Sequence, residues 1–155
     1  MPVIEGGGVE KNFFLITNYL ATKFENISVI SFSSSHKKKL SQNIKFKSFD
    51  KMFLKFAGRR VKFIFSLFLL LREILLNRNT IVLCFQGLAY CTILCKLLSV
   101  KIVIRSNSSP SGWSDNLIKK KLYRIIYHMA NTIIVNSKKF KKELKLRFNL
   151  DSICV

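Results

Sequence analysis

Acidic residues are scarce. The 155-residue chain has 8 Asp and Glu against 27 Lys and Arg, a formal charge of +19. Such scattered carboxylates leave no pair placed for acid–base work of the glycosidase kind. Proline and glycine number only 2 and 6, which excludes collagen-like and linker-like chains. Histidine occurs twice, His36 in a lysine loop and His128 in a helical pattern, so neither a Ser-His-Asp nor a Cys-His arrangement is indicated. Cys84, Cys91, Cys95 and Cys154 contain no CxxC pair and give no zinc spacing. They read as reduced, buried thiols of a cytosolic protein, with Cys91 and Cys95 on one helix face. The longest apolar run, Phe63 to Leu71, is broken by Ser66 and flanked by Lys62 and Arg72. It is too short to span a bilayer. The glycine-rich, acidic N-terminus does not read as a secretory leader.

What is present is apolar. Hydrophobic residues make up 49%, with 14 phenylalanines, which excludes simple disorder. The length fits one domain, residues 1–155, able to bury a sizeable core. The basic balance fits nucleic acid or an anionic membrane surface as partner. An AT-rich genome would also enrich Lys, Asn, Ile and Phe, but the excess of Lys over Glu exceeds what codon bias explains. Charge runs occur at Lys37-Lys38-Lys39, Arg59-Arg60, Lys119-Lys120-Lys121 and Lys138-Lys139 with Lys141-Lys142. Phe53 and Phe56 lie near Arg59, and Phe140 lies between lysines. Lysines at phosphates with Phe in the interface suit anionic lipid headgroups, with Lys37, Lys38, Lys39, Arg59 and Arg60 as the membrane-surface residues. No RRM, KH, helix-turn-helix or zinc-finger pattern favours nucleic acid.

Helix-like and strand-like runs alternate. Val9 to Phe24 carries Val9, Phe13, Ile16, Leu20 and Phe24 at steps of three and four, one apolar stripe. Ile27 to Phe32 reads as a strand, Ser33 to Asn43 as a basic loop and Ile44 to Phe49 as a weaker strand. Lys51 to Asn77 is mostly helical, broken at Gly58, and apolar nearly all round from Arg59 to Leu76. Strands follow at Thr80–Phe85, Val100–Ile104 and Thr132–Val135, and one begins at Ser152. Helices follow at 88–98 and 114–129, and from Ser137 to about Phe148, with Ser114 and Ser137 in capping positions. Continuously apolar strands alternating with helices predict an α/β fold: a Rossmann-like, doubly wound parallel sheet in three αβα layers.

Such sheets bind ligands where the strands' carboxyl ends open onto loops. Three loops carry suitable chemistry. Gly6-Gly7-Gly8 before the first helix permits close backbone approach, and the helix start offers free N–H groups to a phosphate or diphosphate. The alternative is a tight turn; neither a GxGxxG fingerprint nor a P-loop is present. Gln86, after the Thr80–Phe85 strand, has the donor and acceptor to hold a sugar hydroxyl, or is simply part of a helix-start turn. In Arg105 to Trp113, Arg105 offers a forked cation for phosphate, Ser106 and Asn107 offer hydrogen-bonding groups, and Trp113 offers a face to a sugar ring. An arginine ending a buried strand is costly without a partner.

These residues carry a family likeness. Pro2-x-x-x-Gly6-Gly7-Gly8-Val9-Glu10, the amphipathic helix and ISVISF after it, the Thr80–Phe85 strand, IVIRSNSSPSGW, then TIIVNS and a basic helix occur in the order of the N-terminal domain of a family-four glycosyltransferase of the two-Rossmann-domain, GT-B type. The resemblance spans essentially the whole chain. It implies transfer of a sugar from a nucleotide-sugar donor to a lipid-linked or polysaccharide acceptor, with no separate cofactor and no metal. It also implies that Gly6, Gly7 and Gly8 approach the donor diphosphate, and that Arg105, Ser106 and Asn107 face the interdomain cleft.

Two departures accompany the likeness. Only Met1 to Ile4 stand where the family has a full first strand, so a marginal fold is expected. The family's donor-binding C-terminal domain, with its paired glutamates, has no counterpart, and the resemblance therefore implies an acceptor-side lobe with little activity alone, because the departing diphosphate needs charge stabilisation from both lobes. The competing reading is a non-catalytic basic module that binds a membrane surface or a partner. A dinucleotide-binding Rossmann protein is disfavoured by the missing fingerprint and ribose-binding acid.

Overall fold

A computed structural model of the chain describes residues 7–32, 34, 36–49, 58–107, 117–150 and 153–155. The fold is α/β with parallel strands throughout, a Rossmann-like alternation. It forms two compact units, residues 1–76 and 77–155, and the strands divide between them into a two-stranded and a four-stranded sheet. The expected shortened first strand lies outside the described residues.

In residues 1–76, α1 spans Gly8–Leu20, β1 Ser28–Ile30, β2 Lys45–Lys47 and α2 Arg59–Leu76. β1 and β2 pair in parallel, Ser28 opposite Lys45 and Ile30 opposite Lys47. The α1 stripe is rotated by one residue from the predicted one: Glu10, Phe13, Thr17 and Ala21 are buried, and the helix stops at Leu20, which leaves Phe24 exposed. Asn18 fixes the loop that follows β1. Its Nδ2 donates to Lys39 O at 3.0 Å and its Oδ1 accepts from Ser41 N at 2.9 Å. α2 is apolar nearly all round, as predicted, but one side only is buried, through Ser66, Leu69, Glu73 and Ile74. Glu73 pairs with Lys47 of β2, which compensates a buried carboxylate. The predicted helical stretch before Gly58 lies outside the described residues.

In residues 77–155, β3 (Ile81–Cys84), β4 (Lys101–Arg105), β5 (Thr132–Ile134) and β6 (Ile153–Cys154) lie side by side in chain order, all parallel. They alternate with α3 (Leu88–Leu97), α4 (Leu117–Met129) and α5 (Lys138–Phe148). Each crossover steps the same way, and right-handed crossovers then place all three helices over one sheet face. Burial follows that geometry. The register aligns Cys84, Ile104, Ile133 and Ile153 on one face, and all four are buried. Thr92, Cys95, Ile126, Tyr127 and Leu144 from the helices are likewise buried. Leu83, Val103 and Ile134 alternate onto the other face and are half-buried.

Local signals place the ends. Gly87 caps α3 at φ 69, a left-handed conformation that favours glycine. Ser137 caps α5, its hydroxyl accepting from Phe140 N at 3.2 Å, as the sequence predicts; the other expected cap, Ser114, lies outside the described residues. Asn149 ends α5 at φ 54, the αL stop that asparagine tolerates. Asn131 stands in for a strand residue before β5: its N–H donates to Ile102 O and its Oδ1 accepts from Ile102 N.

Candidate functional site

The carboxyl edge of the four-stranded sheet gathers four of the predicted residues, Gln86, Arg105, Ser106 and Asn107. Arg105 lies opposite Ile134 and Cys84 opposite Ile104, so the segments 85–87, 106–107 and 135–137 leave the sheet side by side. Strand alternation turns Arg105 away from the helix-covered face that Ile104 fills. Its guanidinium lies 5.6 Å from the Phe85 ring centroid, a cation–π distance. Its Nη2 donates to Asn136 Oδ1 at 3.1 Å.

Arg105 is only 7% exposed, and its Nε and Nη1 have no hydrogen-bond partner among the described residues. No carboxylate among them forms an ion pair with it. Burial lowers its pKa, because desolvation disfavours the charged form. A buried donor without an acceptor costs about 1–3 kcal/mol, more when charged. The fold therefore holds a cationic fork, with unmet donors, at the edge where parallel sheets bind ligands.

Its neighbours divide into framework and surface. Ser106 turns inward: its Oγ lies 2.5 Å from Tyr127 OH and its N–H donates to Ile134 O at 2.9 Å. The expected cleft role of its hydroxyl gives way here to tying β4 to α4. Burial pushes the Tyr127 phenol up to about 12, against a smaller lowering by Ser106. Asn107 Nδ2 donates to Phe85 O at 3.1 Å, bracing the loop that carries the aromatic platform. The Gln86 carbonyl accepts from Cys84 Sγ at 3.0 Å, with Cys91 Sγ at 4.0 Å. The neighbouring Cys91, with burial adding to the effect, holds the Cys84 thiol well above its usual range. Trp113 lies outside the described residues.

Gly7 and Gly8 belong to the other unit, and Gly6 lies outside the described residues. Gly7 is the N-cap of α1 at φ −87, and Gly8 follows as its first residue. Neither has a positive φ. A Cβ at Gly8 would meet nothing, while one at Gly7 would fall 2.9 Å from Glu10 Oε2. The start of α1 thus already holds a buried carboxylate, favourable to the helix dipole and opposed to a second anion at the same place. Lys37–Lys39 form an exposed 3-10 turn, with Lys39 Nζ 5.6 Å from the Phe14 ring centroid. Arg59 and Arg60 are exposed at the start of α2, where the helix dipole disfavours cations.

Sequence reasoning passed over Asn136, Phe85 and Tyr127 as partners of this edge. The signal for Asn136 is its place two residues beyond Ile134, the register partner of Arg105. All four cysteines are free, but Cys91 is half-buried and Cys154, on the edge strand β6, is exposed, which corrects the expectation of four buried thiols. Among the described residues no three metal-ligating side chains cluster, and no helix is long and apolar enough to cross a membrane.

No family model matches the chain, and no curated protein matches it.

Burial, with a smaller contribution from Cys91, pushes Cys95 from 9.0 to about 12. Below pH 9 it is protonated in both folded and unfolded chains. Above that the unfolded chain loses the proton first, so stability falls as pH rises from 9 toward 12. Tyr127, raised from 10.0 to about 12, acts in the same direction. Urea unfolding across this range should show the decline, and a smaller one in Cys95→Ala. An identical decline in both proteins would contradict the assignment to Cys95.

Proposed function

We propose that the chain is the acceptor-side lobe of a nucleotide-sugar-dependent glycosyltransferase, with Arg105 anchoring a phosphate of a lipid-linked acceptor. One observation carries the reading: a nearly buried guanidinium at the carboxyl edge of a parallel sheet, with Nε and Nη1 lacking partners among the described residues. A phosphate oxygen pair matches that fork. Phe85 below and Asn136 beside the guanidinium hold its plane, and Asn107 stiffens the Phe85 loop. Placing the acceptor by its phosphate leaves its sugar hydroxyl to be presented to a donor, a positioning role worth several orders of magnitude in rate. Cytoplasmic location and attachment to a membrane follow from an acceptor of this type.

The order of motifs along the chain supports the transferase part of this reading; the geometry of Arg105 supports the anion. The Glu10 carboxylate at Gly7 weighs against a donor diphosphate on the α1 start unless that carboxylate swings away. Isothermal titration of the chain with a short-chain polyprenyl diphosphate and, separately, with a panel of nucleotide sugars tests the reading. The diphosphate should bind, Arg105→Gln should weaken it at least about tenfold, and the chain alone should turn over little sugar. Tighter binding of nucleotide sugars than of the polyprenyl diphosphate, or robust transfer by the chain alone, would overturn the acceptor-side assignment.

A further inference from the structure

We infer that the outer face of α3 and α4 docks on an anionic lipid bilayer. This goes beyond sugar transfer and stands whether or not that reading does. α4 carries Ile118, Leu122, Ile125 and Met129 at steps of four, three and four, which forms one stripe. Beside it run Lys121, Arg124 and His128 at steps of three and four. The helix is anchored from its other side, where Ile126 and Tyr127 are buried. Leu122 and Ile125 remain 51% and 50% exposed, and Ile118 more so.

α3 packs against α4 and extends the surface with Ile93 and Leu97, the latter 78% exposed. A shallow depression of about 540 Å³ is lined by Lys96 of α3 and by Lys121, Arg124, Ile125, His128 and Met129 of α4. Three permanent cations rim an apolar floor. Neither helix contains an Asp or Glu.

The pattern selects its occupant. A contiguous apolar surface left in water marks an interaction site. An aliphatic stripe flanked by cations matches a helix lying in the plane of a bilayer, with Ile and Leu at the acyl boundary and Lys and Arg at the phosphates. A nucleic acid would satisfy the cations but leave Ile118, Leu122 and Ile125 against a polar backbone.

Flotation of the full chain with phosphatidylcholine vesicles, with and without phosphatidylglycerol, tests the inference. The wild type should float with the anionic vesicles only. At about 1 kcal/mol per cation near the surface, Lys121→Ala/Arg124→Ala should bind on the order of thirtyfold more weakly. Leu122→Ser/Ile125→Ser should bind at least about tenfold more weakly through lost apolar burial. These side chains are exposed, so circular dichroism and melting should match the wild type. Lys37→Ala/Lys38→Ala/Lys39→Ala should keep nearly full binding. Equal flotation with neutral vesicles, unchanged binding by both α4 variants, or loss confined to the Lys37–Lys39 variant would overturn the proposal. So would binding that polyuridylate displaces and Leu122→Ser/Ile125→Ser leaves intact.

Discussion

Arg105→Met is expected to make the protein more stable, by about 1–3 kcal/mol in urea unfolding, while removing its affinity for a diphosphate. Methionine keeps the length and apolar stem of the side chain. It removes a buried charge whose Nε and Nη1 have no partner among the described residues. One hydrogen bond, to Asn136, and the stacking on Phe85 are lost with it. Those losses are about 1–2 kcal/mol each, against a desolvation cost of several kcal/mol for an uncompensated ion. A gain in stability at the expense of binding marks a residue retained for function. A loss of more than about 1 kcal/mol would mean that the guanidinium is fully satisfied within the fold, and the reason for assigning it an anion would disappear.

The largest loss of stability is expected at Ile104. Its side chain is 0% exposed and lies in the row Cys84–Ile104–Ile133 under the helices. Ile104→Ala should cost about 2–5 kcal/mol, because a close-packed core cannot fully collapse onto the missing atoms. Ile81 offers the contrast. It belongs to the same sheet but is 66% exposed, and Ile81→Ala should cost under about 1 kcal/mol. Denaturant midpoints for the two variants check this directly. Similar losses at both positions would contradict the face assignment, and with it the placement of Arg105 on the side away from the helices.

Much of the fold was legible because its signals are local. β-branched runs such as TIVLCF and KIVIR make strands whose neighbours are helices with clear starts: Gly87 before α3 and Ser137 before α5. The rotated stripe of α1 was harder to read. Glu10 and Thr17 are polar residues on the buried line, and sequence periodicity credits only apolar ones. α2 gave no face because apolar residues surround it; the side that is buried is marked by Ser66 and Glu73.

The candidate site was legible at Arg105, where a charged residue ends an apolar strand. It was not legible at Asn136 and Phe85, because strand pairing brings them to Arg105 from 31 and 20 positions away in the sequence. Ser106 was misleading for a similar reason. A serine next to a loop reads as available, and only the register shows it turned inward toward Tyr127. The glycine run had chemical promise in isolation. The carboxylate of Glu10, three residues after Gly7, already occupies the helix start that gave it that promise.

The most direct measurement is a thermal-shift titration of wild type and Arg105→Met with a short-chain polyprenyl diphosphate. A ligand that binds only the folded state raises its melting temperature with concentration. The wild type should start lower and climb, while Arg105→Met should start higher and stay flat. Curves that climb together, or a wild type that does not move, would contradict a phosphate held by Arg105.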